Sequence, residues 1–339
     1  MSTRKLNVIV HPICDVDLRV MPPKTVRVLL EQIFALTYLD SEITFSFRGT
    51  EPTLAGVEFY RYFVKLAQQM QPSGCHLFWS IRTRDMDLND AWTDLFIQHD
   101  FEISVAVDGV RSPRDGAWPK TRSAFRSLVR RDASVTALYT LSGQSTRRPE
   151  VLYQSLRRLG AKNITFCPSV GDGTDEALTP PQLANFVCRV FDIWYDEWKN
   201  GSYCFVNLFD NYIRILRGLD CTECAVQGRC GSTVLVKADG NIYPCEKYKS
   251  DDDRLGTIGE GGIKEALRSP LYQRWLQSGN QKPKECLNCN RSTLCNGGCK
   301  GDWVAAEDGM HNPYCSAYKR FFLYAYPRLI QIARETKDT

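Results

Sequence analysis

The chain has 339 residues, of which 43% are hydrophobic and 24% are charged, and its formal net charge is +4. These values describe a globular protein with a sizeable core, long enough for one large domain and a smaller one. The weak charge gives no case for a nucleic-acid partner. Apolar runs are only strand-length and the N-terminus lacks a signal-peptide pattern, so we expect a cytoplasmic protein with no membrane partner.

Strand and helix patterns alternate over the first 200 residues. Near-continuous apolar runs predict six strands, at 6–12, 42–49, 76–84, 101–109, 134–142 and 163–169. Apolar residues at helical spacing predict six helices between and after them, at 25–39, 57–70, 89–100, 121–131, 149–160 and 180–201. Six strand–helix units imply parallel pairing, and they are too few for a closed eight-stranded barrel. We therefore predict a partial barrel or an open doubly wound sheet, with its active surface at the carboxyl ends of the strands.

The character of the chain changes after Tyr203. Short strands are predicted within 232–245, with a hairpin turn at Asp239-Gly240. A helical pattern at 263–279 separates two groups of cysteines, and a closing helix is predicted over 316–335.

Nine of the 14 cysteines lie between Cys221 and Cys315. A cytoplasmic setting disfavours disulfides and makes a metal site the stronger interpretation. The spacing of these cysteines is Cys224-x5-Cys230-x14-Cys245, then Cys286-x2-Cys289-x5-Cys295-x3-Cys299, then Cys315. Apart from Cys221 these are eight thiols, enough for two four-ligand sites, and spacing alone leaves zinc and iron–sulfur clusters equally open. Glycines beside the ligands, including Gly231, Gly297 and Gly298, let backbone N–H groups approach sulfur.

This pattern, with VLVKADGNIYPC inside it and CLNCNRSTLCNGGCKGDW after it, resembles the SPASM domain of radical SAM enzymes that modify peptides and proteins. It is especially similar to anaerobic sulfatase-maturating enzymes. The resemblance implies two auxiliary [4Fe–4S] clusters with interleaved ligands. Auxiliary cluster I would be held by Cys224, Cys230, Cys245 and Cys299, and auxiliary cluster II by Cys286, Cys289, Cys295 and Cys315. Cys221 has no assigned partner.

The resemblance extends to the first half, where Gly49-Thr50-Glu51-Pro52 matches a motif that binds S-adenosylmethionine, one glycine short. Arg82-Thr83-Arg84 and Ala106-Val107-Asp108-Gly109 depart from the amides and serine that the family shows at these positions. The implied fold class is α/β, a partial (β/α)6 TIM-like radical SAM barrel with a C-terminal SPASM domain. The implied domains are 1–205 for the barrel, 206–318 for SPASM and 319–339 for a C-terminal helix.

The family's defining motif, C-x3-C-x2-C, would begin at Cys14. The second and third positions fall on Leu18 and Met21. Leucine cannot bind iron and a methionine thioether is a weak ligand for such a cluster, so one thiolate is left. We expect a degenerate site at Cys14, Gly49, Glu51 and Pro52 that does not cleave S-adenosylmethionine alone. Glu246, directly after Cys245, lies where the family has an acidic residue regarded as a base; a surface role for it is equally open.

Three functions follow as hypotheses. In the first, the chain is a pseudoenzyme that keeps two [4Fe–4S] clusters and acts as partner subunit of an active radical SAM enzyme. That enzyme would modify a ribosomally made precursor peptide or protein, and this chain would contribute peptide recognition, scaffolding or electron relay. In the second, it is an active peptide-modifying oxidoreductase whose catalytic cluster has unconventional or partner-supplied ligands. In the third, it is a metal-stabilised module that binds a peptide or an anion, for which Arg48, Arg82 and Arg84 would be suited.

Overall fold

A computed structural model describes residues 5–37, 40–84, 89–108, 118–170, 177–307 and 309–336. The strands are β1 Lys5–His11, β2 Glu42–Phe47, β3 His76–Thr83, β4 Glu102–Ala106, β5 Val135–Leu141, β6 Asn163–Pro168, β7 Phe205–Val206, β8 Thr233–Lys237, β9 Asn241–Tyr243, β10 Gly256–Thr257, β11 Val304–Ala306 and β12 Gly309–His311. The helices are α1 Pro23–Phe34, α2 Val57–Met70, α3 Asp90–Gln98, α4 Trp118–Arg130, α5 Pro149–Leu159, α6 Pro180–Lys199, α7 Asn207–Leu216, α8 Cys224–Gln227, α9 Gly262–Ala266, α10 Pro270–Asn280, α11 Lys284–Leu287, α12 Ser292–Cys295 and α13 Cys315–Glu335. In the described residues, no helix is both long and apolar enough to cross a membrane.

The chain forms two compact units, each built from separated segments. The first unit comprises Met1–Val105, Pro119–Val135 and Cys230–Ser278. The second comprises Ala106–Trp118, Thr136–Arg229 and Gly279–Thr339.

The first unit is built on parallel strands. β1 pairs with β2, β2 with β3 and β3 with β4, all in parallel register. β8 adds to the other edge of β1, also in parallel, with Asn7 opposite Thr233. β9 and β10 continue the sheet as an antiparallel ladder. The predicted turn at Asp239-Gly240 is confirmed, since it joins β8 to β9 with Gly240 at a φ of 87°.

The two faces of β2 differ as period-2 alternation requires. Phe45 and Phe47 are fully buried against Phe63 of α2, with ring centroids 5.2 and 5.1 Å apart. On the opposite face, the Ser46 hydroxyl donates to Asn7 at 2.6 Å and lies 2.8 Å from the Ser80 hydroxyl. Helices therefore cover an aromatic face, and the other face carries a hydrogen-bonded polar layer.

The second unit pairs β5, β6 and β7 in parallel. The closing helix α13 packs on α6 and α7, with Phe321 lying 5.5 Å from Phe191 and 5.6 Å from Phe209. The predicted closing helix is therefore present and begins at Cys315.

The predicted α/β class with a parallel sheet is confirmed, and two local features differ from expectation. The single helical pattern at 263–279 is two helices, α9 and α10, because Pro270 cannot continue a hydrogen-bonded helix and begins the second one. Helix α7 was not predicted, although its buried residues Phe209, Tyr212 and Ile213 follow helical spacing.

Candidate iron–sulfur site and degenerate cofactor site

The loop after β1 is held together by hydrogen bonds between its own backbone groups. The N–H of Cys14 donates to the Arg19 carbonyl at 2.9 Å, and the N–H of Leu18 donates to the Cys14 carbonyl at 3.0 Å. Leu18 has a φ of 56°, in the left-handed region, and its side chain is 58% exposed, whereas Met21 is 1% exposed. Met21 therefore belongs to the core, and Cys14 supplies the loop's one thiol.

Both carboxylate oxygens of Glu51 accept hydrogen bonds from other groups of the chain. Its Oε1 accepts from the Thr53 hydroxyl at 2.6 Å, the Thr53 N–H at 3.1 Å and the Thr83 hydroxyl at 2.7 Å. Its Oε2 accepts from the Arg84 N–H at 3.0 Å. Glu51 is 6% exposed, so this carboxylate fastens the turn that follows β2 to the end of β3.

The other residues of the expected cofactor region differ in burial and in backbone conformation. Pro52 is buried and begins a short 3-10 helix, and Gly49 has a φ of 117°, where an added Cβ would lie 3.4 Å from the His11 ring. The side chains of Arg82 and Arg84 are exposed and Arg48 is half-buried. In the second unit, Asp108 accepts from the Thr140 N–H at 2.7 Å, and Gly109 lies outside the described residues.

Glu246 is held by a histidine and a lysine. The buried His11, at the end of β1, lies with Nε2 2.9 Å from one Glu246 oxygen, and Lys249 donates to the other at 2.7 Å. Burial raises the pKa of Glu246, but the hydrogen bond and charge of His11, then those of Lys249, outweigh it and bring the pKa to about 2. A carboxylate with so low a pKa is a weak proton acceptor. The geometry thus gives Glu246 a stabilising ion pair, and its role as a base stays a prediction.

Four predicted ligands share one pocket in the second unit. This four-thiol pocket is lined by Cys286, Cys289, Cys295 and Cys315 together with Glu285, Arg291, Gly297 and Lys319, among others. α11, α12 and α13 each carry one of these thiols, and Cys289 lies between α11 and α12. The structure therefore places the four cysteines predicted for auxiliary cluster II around one pocket. Within the described residues, no three His, Cys, Asp or Glu side chains converge tightly enough for a single metal ion.

Gly297 makes the close approach that the sequence predicted. Its φ of 82° favours glycine, and a Cβ there would lie 3.2 Å from the Pro283 Cδ and 3.4 Å from the Cys286 Sγ. Its N–H donates to the Cys295 sulfur, and its carbonyl accepts from Trp303 at 2.8 Å and Asn312 at 3.0 Å. A backbone N–H directed at sulfur is a feature of iron–sulfur sites, so this pocket fits the predicted cluster.

The surroundings of three thiols in the pocket raise their pKa values and favour the protonated form. Burial raises the pKa of Cys286 and Cys295, and burial together with a hydrogen bond to Glu285 raises the pKa of Cys315 to about 12. Metal binding releases these protons, because iron takes thiolates as ligands. The positive charges of Lys282 and Lys319 act against this rise in pKa, because they stabilise the thiolate form of Cys286 and Cys315, respectively.

The four cysteines predicted for auxiliary cluster I lie in both units. Cys224 begins α8 and Cys299 precedes a short 3-10 helix in the second unit, while Cys230 precedes β8 and Cys245 follows β9 in the first. This ligand set stays a prediction. Cys221 is half-buried, and burial raises the pKa of its thiol.

Comparison with known proteins shows which proteins the chain is similar to. A family model described as SPASM, an iron–sulfur cluster-binding domain, matches residues 224–290. The chain is 26% identical over 325 residues to a cysteine-type anaerobic sulfatase-maturating enzyme of Clostridium novyi, covering 90% of this chain and 87% of the relative. It is 26% identical over 296 residues to a serine-type anaerobic sulfatase-maturating enzyme of Klebsiella pneumoniae, covering 83% and 73%.

Among solved structures, "Native anSMEcpe with bound AdoMet and Kp18Cys peptide" superposes with a TM-score of 0.88 and 23% identity, over 97% of this chain and 99% of that one. The fold is therefore shared along nearly the whole length. The chain resembles the anaerobic sulfatase-maturating radical SAM enzymes, has their fold and carries a SPASM iron–sulfur cluster-binding domain.

Proposed function

We propose that this chain is an iron–sulfur protein of a peptide-modifying radical SAM system, in which it serves as a partner subunit and does not itself cleave S-adenosylmethionine. The four-thiol pocket carries the proposal. It supplies the complete predicted ligand set of one [4Fe–4S] cluster, while the loop after β1 keeps a single cysteine. Clusters held by thiolates transfer single electrons, so electron relay is the chemistry available to such a subunit.

The loop after β1 and the turn at Glu51 support the loss of S-adenosylmethionine cleavage. Leu18 and Met21 stand where two further thiolates would be needed, and Met21 is committed to the core. A cluster that leaves one iron open to a cofactor needs three protein ligands, and Cys14 alone provides one. The acceptor positions of Glu51 are taken by Thr53, Thr83 and Arg84, which leaves this carboxylate a structural role.

The relatives support a peptide or protein as the molecule recognised. The curated relatives are sulfatase-maturating enzymes, and one solved relative is described with a bound peptide. In a system of this kind, the chain would bind the precursor peptide, the active radical SAM subunit, or both. Cys224, Cys230, Cys245 and Cys299 would hold the second cluster.

A second candidate is an active peptide-modifying radical SAM enzyme. It is favoured by the relatives, which are enzymes, and by solved relatives described with bound AdoMet. Cys14 and the turn from Gly49 to Pro52 are retained at the expected place. In this case the remaining ligands of the catalytic cluster would come from a partner chain or from other side chains.

Iron and sulfide quantitation after anaerobic reconstitution separates the candidates. About eight iron per chain supports the partner subunit, about twelve supports the active enzyme, and zinc in place of iron supports a metal-stabilised binding module. A reductive assay for 5′-deoxyadenosine gives the second measurement. Robust product from this chain alone would refute the partner-subunit proposal, and co-purification with an active radical SAM protein would support it.

A further inference from the structure

Two lysines flank the four-thiol pocket from different elements. Lys319 lies one helical turn after Cys315 on α13 and hydrogen bonds with its thiol. Lys282 precedes α11 and donates to the Asn296 side chain at 2.8 Å, directly after Cys295. Both lysines are exposed, and the contacts with Cys315 and Asn296 orient their side chains.

Each lysine acts on a different pair of thiols. Lys282 lies within electrostatic reach of Cys286 and Cys295. Lys319 lines the pocket together with Cys289 and Cys315. All four predicted ligands therefore have a lysine neighbour. Glu285 is the opposing charge, because its carboxylate lines the same pocket and hydrogen bonds with Cys315.

We propose that Lys282 and Lys319 raise the reduction potential of the [4Fe–4S] cluster bound in the four-thiol pocket. One-electron reduction adds negative charge to a cluster that four thiolates already make anionic. A nearby cation stabilises the reduced state more than the oxidised one, and hydrogen bonds toward sulfur act in the same direction. This inference rests on the cluster assignment in the proposed function.

Glu285 allows the direction of the charge effect on the reduction potential to be tested within the same pocket. Once Cys315 is a thiolate it has no proton to donate, so the Glu285 carboxylate only repels the added electron. Glu285→Gln removes this charge and offers an amide N–H to sulfur. We expect it to shift the potential upward, opposite to the shift from either lysine substitution.

The experiment is a redox titration followed by electron paramagnetic resonance, on the anaerobically reconstituted full chain. Cys289→Ala, which removes a ligand of this pocket, identifies its cluster signal by difference. Lys282→Gln and Lys319→Gln are each expected to shift that signal to a more negative potential, and the double variant more than either. Lys199→Gln is the control, because it removes the same charge from the same unit beside Asp196 and Tyr195, away from the pocket.

The outcomes are distinguishable. If the lysine variants keep about eight iron per chain but match the wild-type potential, or if Lys199→Gln shifts it equally, the proposal is overturned. If the double variant Cys286→Ala/Cys289→Ala, which leaves only two thiols in the pocket, keeps about eight iron per chain, the cluster assignment of the proposed function fails instead. A shift that shrinks with rising ionic strength in Lys319→Gln supports a charge effect over a structural one.

Discussion

Replacing Glu246 by glutamine is expected to lower the free energy of unfolding by about 3 kcal/mol at pH 7. The ion pairs with His11 and Lys249 hold the pKa of Glu246 at about 2, against an ordinary value of 4.5. That gap corresponds to about 3 kcal/mol of extra stability for the charged carboxylate, whose side chain is 26% exposed. Because the folded-state pKa is depressed, the contribution is fully present above pH 4.5 and is lost as the pH falls toward 2.

Urea unfolding of the cluster-free chain, followed by tryptophan fluorescence, measures this difference. Below pH 4.5 the difference in unfolding free energy between wild type and Glu246→Gln should narrow, because the carboxylate becomes protonated as the pH falls toward 2. Glu58→Gln is the matched control, because Glu58 is 77% exposed and pairs only with Arg61 one turn away, so its removal should cost less than about 0.5 kcal/mol. A Glu246→Gln variant as stable as this control at pH 7 would refute the ion-pair assignment.

Three further predictions concern other parts of the molecule. Glu51→Ala should cost about 2 to 4 kcal/mol in urea unfolding, because it leaves the buried Thr83 hydroxyl without its acceptor; a loss equal to that of an exposed glutamate would contradict this. Gly297→Ala should reduce the iron retained after gel filtration, since its Cβ would crowd the Cys286 sulfur; unchanged iron content would show that the pocket adapts. The double variant Leu18→Cys/Met21→Cys restores three thiolates to the loop and should bind about four more iron per chain; unchanged iron would mean that the loop geometry itself excludes a cluster.

The parallel strands could be predicted well because each is either a short, nearly continuous apolar run or a tight alternation of apolar and polar residues. Buried Val8 and Val10 in β1, and Phe45 and Phe47 in β2, give a strong signal that neighbouring polar turns delimit. The break at Pro270 was missed because apolar spacing continued across it, and periodicity carries no information about a lost backbone hydrogen bond.

Some parts of the candidate site could be predicted from the sequence and others could not, and the difference has a physical reason. Cysteine spacing identifies ligands, because thiolates on one metal centre must come from short turns, and the four-thiol pocket agrees with that prediction. His11 could not be paired with Glu246 in advance, since 235 residues separate them and no sequence signature marks His11. Lys319 was within reach of sequence reasoning, because it follows Cys315 by four residues in a predicted helix.

The pairing of β1 with β8 has a consequence for how the chain is made. Asn7 lies opposite Thr233, so one edge of the N-terminal strand has no neighbour until more than two hundred residues have been synthesised. An unpaired strand edge is a template for association with other chains, and contacts between such distant segments form slowly. A fragment that stops at residue 205 would leave this edge bare permanently. Expression of the first 205 residues alone should therefore give aggregated material, whereas the full chain covers the edge once β8 emerges from the ribosome.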